Sequence, residues 1–398
     1  MHVPPLAMEI ARKVAEAGGR AYLVGGCVRD HLLGLPPKDI DIEVHGLDDL
    51  YALLQPLGTV NEVGRSFGVF KLTRGDLELD VAIPRRDSKV GPGHRGIEVR
   101  GDPHMGLEAA VRRRDLSINS LLYDPLTDEI IDLAGGLSDL DAKVLREVDA
   151  ASFAEDPLRA LRVVQFAARF GFDVAPSLQR ICRDAQLDEL PPERIRGELD
   201  KLLSVSPRPS VGLRWFGELG LAAKVLPALA PDEALGEVLD RAASMERSPQ
   251  LMYGALLHRL GPAAWEDSLQ RLRLFERSAP RGRLAAGLAF TRSERTASAW
   301  RRLADTTPAA LAAQLRAAIL AEDLDELRAE AEAAGVLEGP LPVLLRGHDL
   351  RALGVVPGPR MGALQRRLRG AQHEGVVDDV EEAKELVRGW IAAGDEPC

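Results

Sequence analysis

The strand-like runs of this chain lie before residue 84, and from Glu155 onward the apolar residues recur at helical spacing, broken by Pro191-Pro192, Pro207, Pro209, Pro227, Pro231 and Gly339-Pro340. A chain divided in this way is expected to be α+β, with a small mixed β-sheet and its helices first and helices alone thereafter. Residues 6–17 have helical spacing and stop at Gly18-Gly19, after which AYLV (21–24) reads as a short buried strand running into Gly25-Gly26. A short helix (VRDHLLG), a break at Pro36-Pro37 and the strand DIDIEV (39–44) follow, and two strands over 67–73 and 77–83 meet around Gly75. At 398 residues the chain exceeds the roughly 250–300 that one core usually reaches, so several packed units are expected. The segment from 341 onward restarts after a break, carries Arg360, Arg366, Arg367 and Arg369, and reads as a separate tail.

The formal net charge of −10 argues against indiscriminate binding of polyanions, so a nucleic acid would have to be held by local basic patches. Cys27, Cys182 and Cys398 are too far apart for a zinc knuckle and odd in number, which argues against a disulfide framework and for a reducing, cytoplasmic setting. The N-terminal MHVPPLAMEIARK lacks a signal layout, and no apolar run approaches the roughly 20 residues of a membrane span.

Chemistry concentrates in the first half. Gly25-Gly26 and a helix bearing Arg29 would offer bare backbone amides and a guanidinium to a phosphate chain, although a glycine turn between strand and helix is more often only a turn. In Asp39-Ile40-Asp41 the period-2 geometry of a strand puts both carboxylates on one face and the isoleucine in the core. Adjacent carboxylates repel unless cations lie between them, and paired Mg²⁺ ions would meet that need. The bland alternative is an exposed strand face of solvated acids, and Glu43, continuing the same face, keeps it open. Asp80, sharing a polar face with Glu78, is a candidate third carboxylate. Arg113, Arg114, Asp115 and Asn119 supply cations, a carboxylate and an amide within about two helical turns, a set that suits ribose and phosphate, unless Asp115 merely caps a helix.

Glu155-Asp156-Pro157-Leu158-Arg159 opens a long amphipathic helix with proline in the first turn, and Asp156 and Arg159, three apart, share a face. A carboxylate only accepts and a guanidinium only donates. Cytosine and adenine each present an amine beside a ring-nitrogen acceptor and match that pair, whereas guanine and uracil reverse the order and would leave both protein groups unpaired. An isolated pair of this spacing is ordinarily a surface ion pair worth a few tenths of a kcal/mol, about 0.3–0.5.

The order of the segments GGCVRD (25–30), DIDIEV (39–44), RRDLSINSL (113–121), GLSDLDAKVLREV (136–148), AEDPLRALRVVQFAARFGF (154–172) and PERIRGELDKLL (192–203) resembles the class II tRNA nucleotidyltransferase and bacterial poly(A) polymerase family. The resemblance implies a catalytic nucleotidyltransferase head (1–147), a helical base-reading neck (148–208), a helical body with a degenerate HD-like region (209–338) and an RNA-holding helical tail (339–398). It implies Asp39 and Asp41 as catalytic metal ligands for Mg²⁺, and Gly25, Gly26, Arg29, Arg113, Asp115 and Asn119 around triphosphate and ribose. Asp156 and Arg159 correspond to the base-reading pair, with Glu155 and Arg194 supporting it. The implied activity is addition of C and A from CTP and ATP to the tRNA 3′ end, with pyrophosphate released.

Relatives that carry a His-Asp phosphohydrolase site differ from the stretch GALLHRLG around His258, and His348-Asp349 stands alone in the tail and reads as surface or packing. The Arg-, Gly- and Pro-rich segment between Val81 and Asp115, with Arg85, Arg86, Gly91-Pro92-Gly93 and Arg95, is long enough for a mobile loop, which in this family favours full CCA or A addition. A-only addition and poly(A) tailing keep the same chemistry; a non-catalytic RNA-binding protein is the alternative from another class.

Overall fold

The computed structural model describes residues 1–36, 39–62, 68–89 and 97–393. They form two compact units, Met1–Asp232 and Glu233–Cys398. In the first unit α1 (Pro5–Glu16) presents Leu6, Ala7, Ile10, Ala11 and Val14 as one buried stripe, with proline at the helix start where no amide is needed. Next come β1 (Arg20–Val24), α2 (Gly26–Leu32), β2 (Asp41–His45), α3 (Leu50–Leu54), β3 (Thr59–Glu62), β4 (Val69–Arg74) and β5 (Leu77–Ala82). After β6 (Arg85–Lys89), β7 (Ile97–Gly101) and α4 (Leu107–Arg112), the strands β8 (Leu122–Asp124) and β9 (Glu129–Ile131) complete the sheet region. Seven strands lie in the order β3-β4-β5-β2-β1-β8-β9, with β2 and β5 parallel and the other neighbours antiparallel. Leu6, Ile10 and Val14 of α1 share a core with Ala21, Ile42, Val44, Leu72, Leu79 and Val81 of the sheet.

Three local expectations change. Pairing in β2 begins at Asp41, so Asp39 lies just before the strand and is exposed. The reason is the partner: β1 ends at Val24 opposite Asp41, and Gly25, at φ +69°, turns the chain away into α2. Ile40 still packs on the core, and its carbonyl accepts from the Asp80 amide at 3.3 Å. The long segment after Val81 is a paired hairpin, β6 against β7, where a loop was expected. Of that segment, Gly91-Pro92-Gly93 and Arg95 lie outside the described residues, as do the Arg86 side chain, Phe67 at the start of an expected strand, and Cys398. Finally, Arg113, Asp115 and Asn119 do not share a helix. Arg113 caps the end of α4, and Ser117–Asn119 form a separate 3₁₀ turn.

The helical part of this unit contains α5 (Gly136–Asp141), β10 (Val144–Leu145), α6 (Ala150–Ala154), α7 (Leu158–Phe170), β11 (Asp173–Val174), α8 (Pro176–Asp184), α9 (Pro192–Val205), α10 (Pro209–Glu218) and α11 (Leu221–Val225). Both α9 and α10 pack on α7. Gly212 allows the close crossing: a Cβ there would overlap Leu202 and Ala168 and lie 3.0 Å from the Val164 carbonyl. The compact unit thus runs past residue 208 to Asp232.

In the second unit one core gathers Phe290, Trp300, Ala309, Ala313 and Leu327, and another gathers Leu345, Leu350, Leu364, Leu368, Val377 and Val387. The helix Pro359–His373 is fastened to the helix Ala297–Ala304 and the residue after it: Arg369 and His373 meet Asp305, and Arg302 meets Glu374. Arg369 therefore holds the fold together, and Arg367 lies over the Trp390 ring at 4.3 Å. Asp349 caps its helix by accepting from the Arg346 amide at 2.8 Å, and His348 leans on it at 3.2 Å. His258 Nδ1 lies 2.8 Å from the Ala255 carbonyl at the end of the helix Pro249–Leu257. Among the described residues no helix is long and apolar enough to cross a membrane.

Candidate active site

A cavity of about 640 Å³ opens beside the exposed end of β2 and is walled on its far side by α7, from Leu158 to Arg169. Gly25, Gly26, Arg29, Asp39, Asp41, Arg113, Asp115, Asn119, Asp156, Arg159 and Arg194 all line it. Asp80 and Glu155 do not. Asp80 is the register partner of Asp41 across β2 and β5, close enough for its charge to act there. Glu155 is exposed at the end of α6, and only its charge reaches Arg159.

The acidic end of the cavity is a cluster of like charges. Burial, then the charges of Asp80 and Asp39, raise the Asp41 carboxyl above the ordinary carboxylate value, with Arg114 opposing. Glu43, next on the same face, belongs to a different set. Burial would raise it, but His45 at 3.1 Å and Arg114 at 2.9 Å outweigh that and hold it below the usual value. Glu43 is therefore already paired with Arg114 and hydrogen-bonded to His45, which separates it from the Asp39–Asp41 pair.

Gly25 is the pivot between these acids and the rest of the site. A Cβ there would meet the Arg114 guanidinium at 3.4 Å and the Asn119 carbonyl at 3.6 Å, on a backbone whose positive φ strains any other residue. Beneath it, Arg29 is 3% exposed. Its Nε and Nη2 donate to Asp30 Oδ1 at 2.8 and 2.6 Å, its Nη1 donates to Asn119 Oδ1, and its plane stacks on Phe166 and Phe170. Burial lowers the Arg29 pKa, with Asp30 opposing. Asn119 Nδ2 donates to Asp115 Oδ1 at 3.2 Å, and Arg162 grips Asp115 Oδ2 with two nitrogens at 2.8 Å. Burial would raise Asp115, but Arg162, Asn119 and the Leu116 amide hold it down.

At the other end, the Arg159 amide donates to the Asp156 carbonyl at 3.0 Å, but the two side chains are not bonded to each other. Asp156 accepts from the Leu158 amide and from Arg194 Nη2, each at 3.1 Å. Arg159 donates Nη1 to the Ser152 carbonyl and Nη2 to the Arg113 carbonyl, each at 2.8 Å. Each side chain is thus fixed by two neighbours while keeping capacity: about two of the carboxylate's four acceptor positions and three of the guanidinium's five donors stay open. A surface ion pair would have spent those groups on each other.

Arg114, read from the sequence beside Arg113, lines the cavity too, while the sequence reading missed Arg162, Phe166 and Arg169 on its wall. These three were available from helical periodicity, because residues 159, 162, 166 and 169 make one stripe of α7. In all, eight arginines face six acids on the lining, a surplus of two positive charges in a chain of net charge −10.

Residues 21–146 match the "Poly A polymerase head domain" family and residues 171–233 the "Probable RNA and SrmB- binding site of polymerase A". A "Multifunctional CCA protein" of Methylococcus capsulatus is 33% identical over 409 aligned positions, covering 88% of this chain and 93% of that one. A protein of the same description from Xanthomonas campestris pv. campestris is 42% identical over 217 positions, 53% of this chain and 51% of that one. Among solved structures, the Bacillus stearothermophilus CCA-adding enzyme in complex with CTP shares the fold at a TM-score of 0.75 and 24% identity, covering 99% of this chain and 100% of that one. The Thermotoga maritima CCA-adding enzyme with bound tRNA does so at 0.72 and 22%, covering 98% and 96%. On the near full-length relationship to the Methylococcus protein and the head-domain match, the chain belongs to the class II tRNA nucleotidyltransferase and bacterial poly(A) polymerase family.

Proposed function

We propose that this chain is a template-independent tRNA nucleotidyltransferase that adds C and A from CTP and ATP to the tRNA 3′ end. The observation that carries the reading is the single arginine-rich cavity with an acid pair at one end and the fixed Asp156–Arg159–Arg194 set at the other. The relatives described as multifunctional CCA proteins, and the structural neighbours holding CTP or tRNA, support it.

Nucleotidyltransferases of this family generally use divalent metal ions. The residues present fit Mg²⁺: Asp39 and Asp41 would hold it, since Asp41 sits among like charges that a dication relieves. Mg²⁺ commonly takes one or two protein carboxylates and completes its shell with water and substrate phosphate, and no group of three or more His, Cys, Asp or Glu is placed to hold a metal ion among the described residues. Metal bound there would favour ionisation of the attacking 3′-hydroxyl and offset charge on the departing pyrophosphate.

The chain's own residues supply position. Arg113 and the open donors of Arg29 border the space for the triphosphate, and Gly25 and Gly26 let it approach the backbone. Asp115 and Asn119, locked by Arg162 and Arg29, present fixed polar edges toward the ribose. Asp156 accepts from the exocyclic amine of cytosine or adenine while Arg159 donates to the ring nitrogen beside it; uracil and guanine face the pair with the order reversed. Glu155, whose exposed side chain makes no bond among the described residues, acts on Arg159 through its charge. Displacement is in line at the α-phosphate, with no covalent enzyme intermediate.

The head-domain description leaves A-only addition or poly(A) tailing as the second reading. Incubation with tRNA transcripts that stop before the first C, after the second C, or with CCA complete, each with one labelled nucleotide, distinguishes them. C and A entering in turn supports CCA addition, A alone supports the second reading, and no incorporation rejects both. Cys27 and Cys182 are free and buried, which supports a reducing cytoplasm as the setting.

A further inference from the structure

Four residues on one stripe of α7 each grip a different part of the head. Arg159 donates to the Arg113 carbonyl after α4, Arg162 holds Asp115, Phe166 underlies Arg29, and Arg169 Nη2 donates to Asp30 Oδ2 at 3.1 Å. The spacing of three, four and three is that of one helix face, and it spans about 15 Å along the axis. Asp30 is the far joint. It is 4% exposed, takes Arg29 on one oxygen and Arg169 on the other, and both arginines stack on the Phe170 ring, at 4.7 and 5.0 Å. A helix held at both ends by bonds of about 3 Å can neither slide by one residue, about 1.5 Å, nor roll without breaking them.

We propose that Arg169 is a positioning residue for base selection: bonded to Asp30 at the end of α7 opposite Asp156 and Arg159, it fixes the helix against the head and so sets where those two residues meet the base. The inference rests on the base-reading role proposed above. Arg169 also lines the cavity, and the role assigned to it runs through the helix. It lies about ten residues from the base-reading turn, and its bond is made to α2, which opens directly after the Gly25 pivot. Loss of the bond leaves one oxygen of a buried carboxylate without its cation and frees the C-terminal turn of α7 to shift.

The test compares wild type, Arg169→Gln and Arg169→Lys, with equilibrium binding of CTP and of UTP measured in magnesium buffer and incorporation measured on a tRNA transcript lacking CCA. Arg169→Gln is expected to lower the CTP-over-UTP binding ratio about tenfold and kcat for C addition by about 10–100-fold, with KM for CTP moving less than about threefold. Arg169→Lys, which keeps a cation beside Asp30, is expected to recover most of both. A folded Arg169→Gln with wild-type discrimination and kcat overturns the proposal, and so does a loss that tracks thermal stability alone or that lysine does not relieve. If wild type incorporates nothing but prefers CTP to UTP in binding, the enzyme reading fails while the positioning claim is still decided by the binding ratio. A wild type with no such preference overturns both.

Discussion

Replacing Asp41 with asparagine is expected to make the metal-free protein more stable while abolishing its chemistry. Asp41 and Asp80 are register partners on adjacent strands, which lie about 5 Å apart. Two unit charges at that separation repel by about 1 kcal/mol in water and about 3 kcal/mol at an effective dielectric constant near 20. Asp41 is half-buried, so a gain of about 1–2 kcal/mol on removing its charge is the reasoned value, or roughly 2–8 °C in Tm for a unit of this size. The sign with pH follows from the raised pKa. The folded protein holds this proton more tightly than the unfolded chain, so the penalty is full above the folded pKa and vanishes below the unfolded one. Wild type should therefore approach Asp41→Asn in stability as pH falls through the folded value. The assay is thermal and urea unfolding in EDTA at neutral and mildly acidic pH, repeated with magnesium. Magnesium at ten times its Kd would stabilise wild type by about 1.4 kcal/mol and the variant far less. Nucleotide incorporation should fall by about 10²–10³-fold or more. An Asp41→Asn protein no more stable than wild type at neutral pH without metal would refute the like-charge account of this site.

Asp156→Asn keeps a carbonyl for Arg194 but turns an amide donor toward the base, so the preference for CTP over UTP in competition should drop about 10–100-fold; an unchanged ratio would remove the base-reading role. Asp115→Asn leaves Arg162 without its anion and should cost about 2–3 kcal/mol by urea unfolding at neutral pH, the lower side of a broken buried pair because Arg162 is one-third exposed. Since the Asp115 carboxyl is held below its ordinary value, that stability is present above the unfolded pKa and is lost as pH falls through the folded one, so the variant should show a flatter acid limb below about pH 4. Asp305→Asn should loosen residues 359–373, with faster amide exchange there and a loss of about 1 kcal/mol, since its partners Arg369 and His373 are tied to a half-exposed site.

The parts of the fold legible in the sequence were those with strong periodicity and chemical punctuation. The stripe of α1, the alternation of Leu77, Leu79 and Val81, and the proline starts of α9 and α10 all appear where the pattern put them. The short strands β3, β8 and β9 were not read, because three or four residues carry too little alternation and their pairing is decided by distant partners. In the site, the residues drawn together from five separate segments were visible as motifs, yet their bonding was not. That Arg29 would reach Asn119, that Glu43 would be claimed by Arg114, and that Arg159 and Asp156 would bond to the Arg113 carbonyl and to Arg194 are outcomes of contacts 38 to 90 residues apart in sequence. Asp39 fell outside β2 for a similar reason: ladder length depends on where the neighbouring strand stops, which no local pattern in residues 39–44 records.

The contrast between a cavity wall with surplus arginine and a strongly acidic whole chain has a kinetic consequence. Seen from afar, an approaching RNA meets repulsion; within a Debye length of the opening, about 8 Å at physiological salt, it meets attraction. Added salt weakens the distant barrier before it weakens the near contacts, so the rate of encounter with tRNA should pass through a maximum at intermediate ionic strength. Proteins of uniformly basic surface lose rate steadily as salt is added; here, modest salt should help the slow approach and only higher salt should harm the capture.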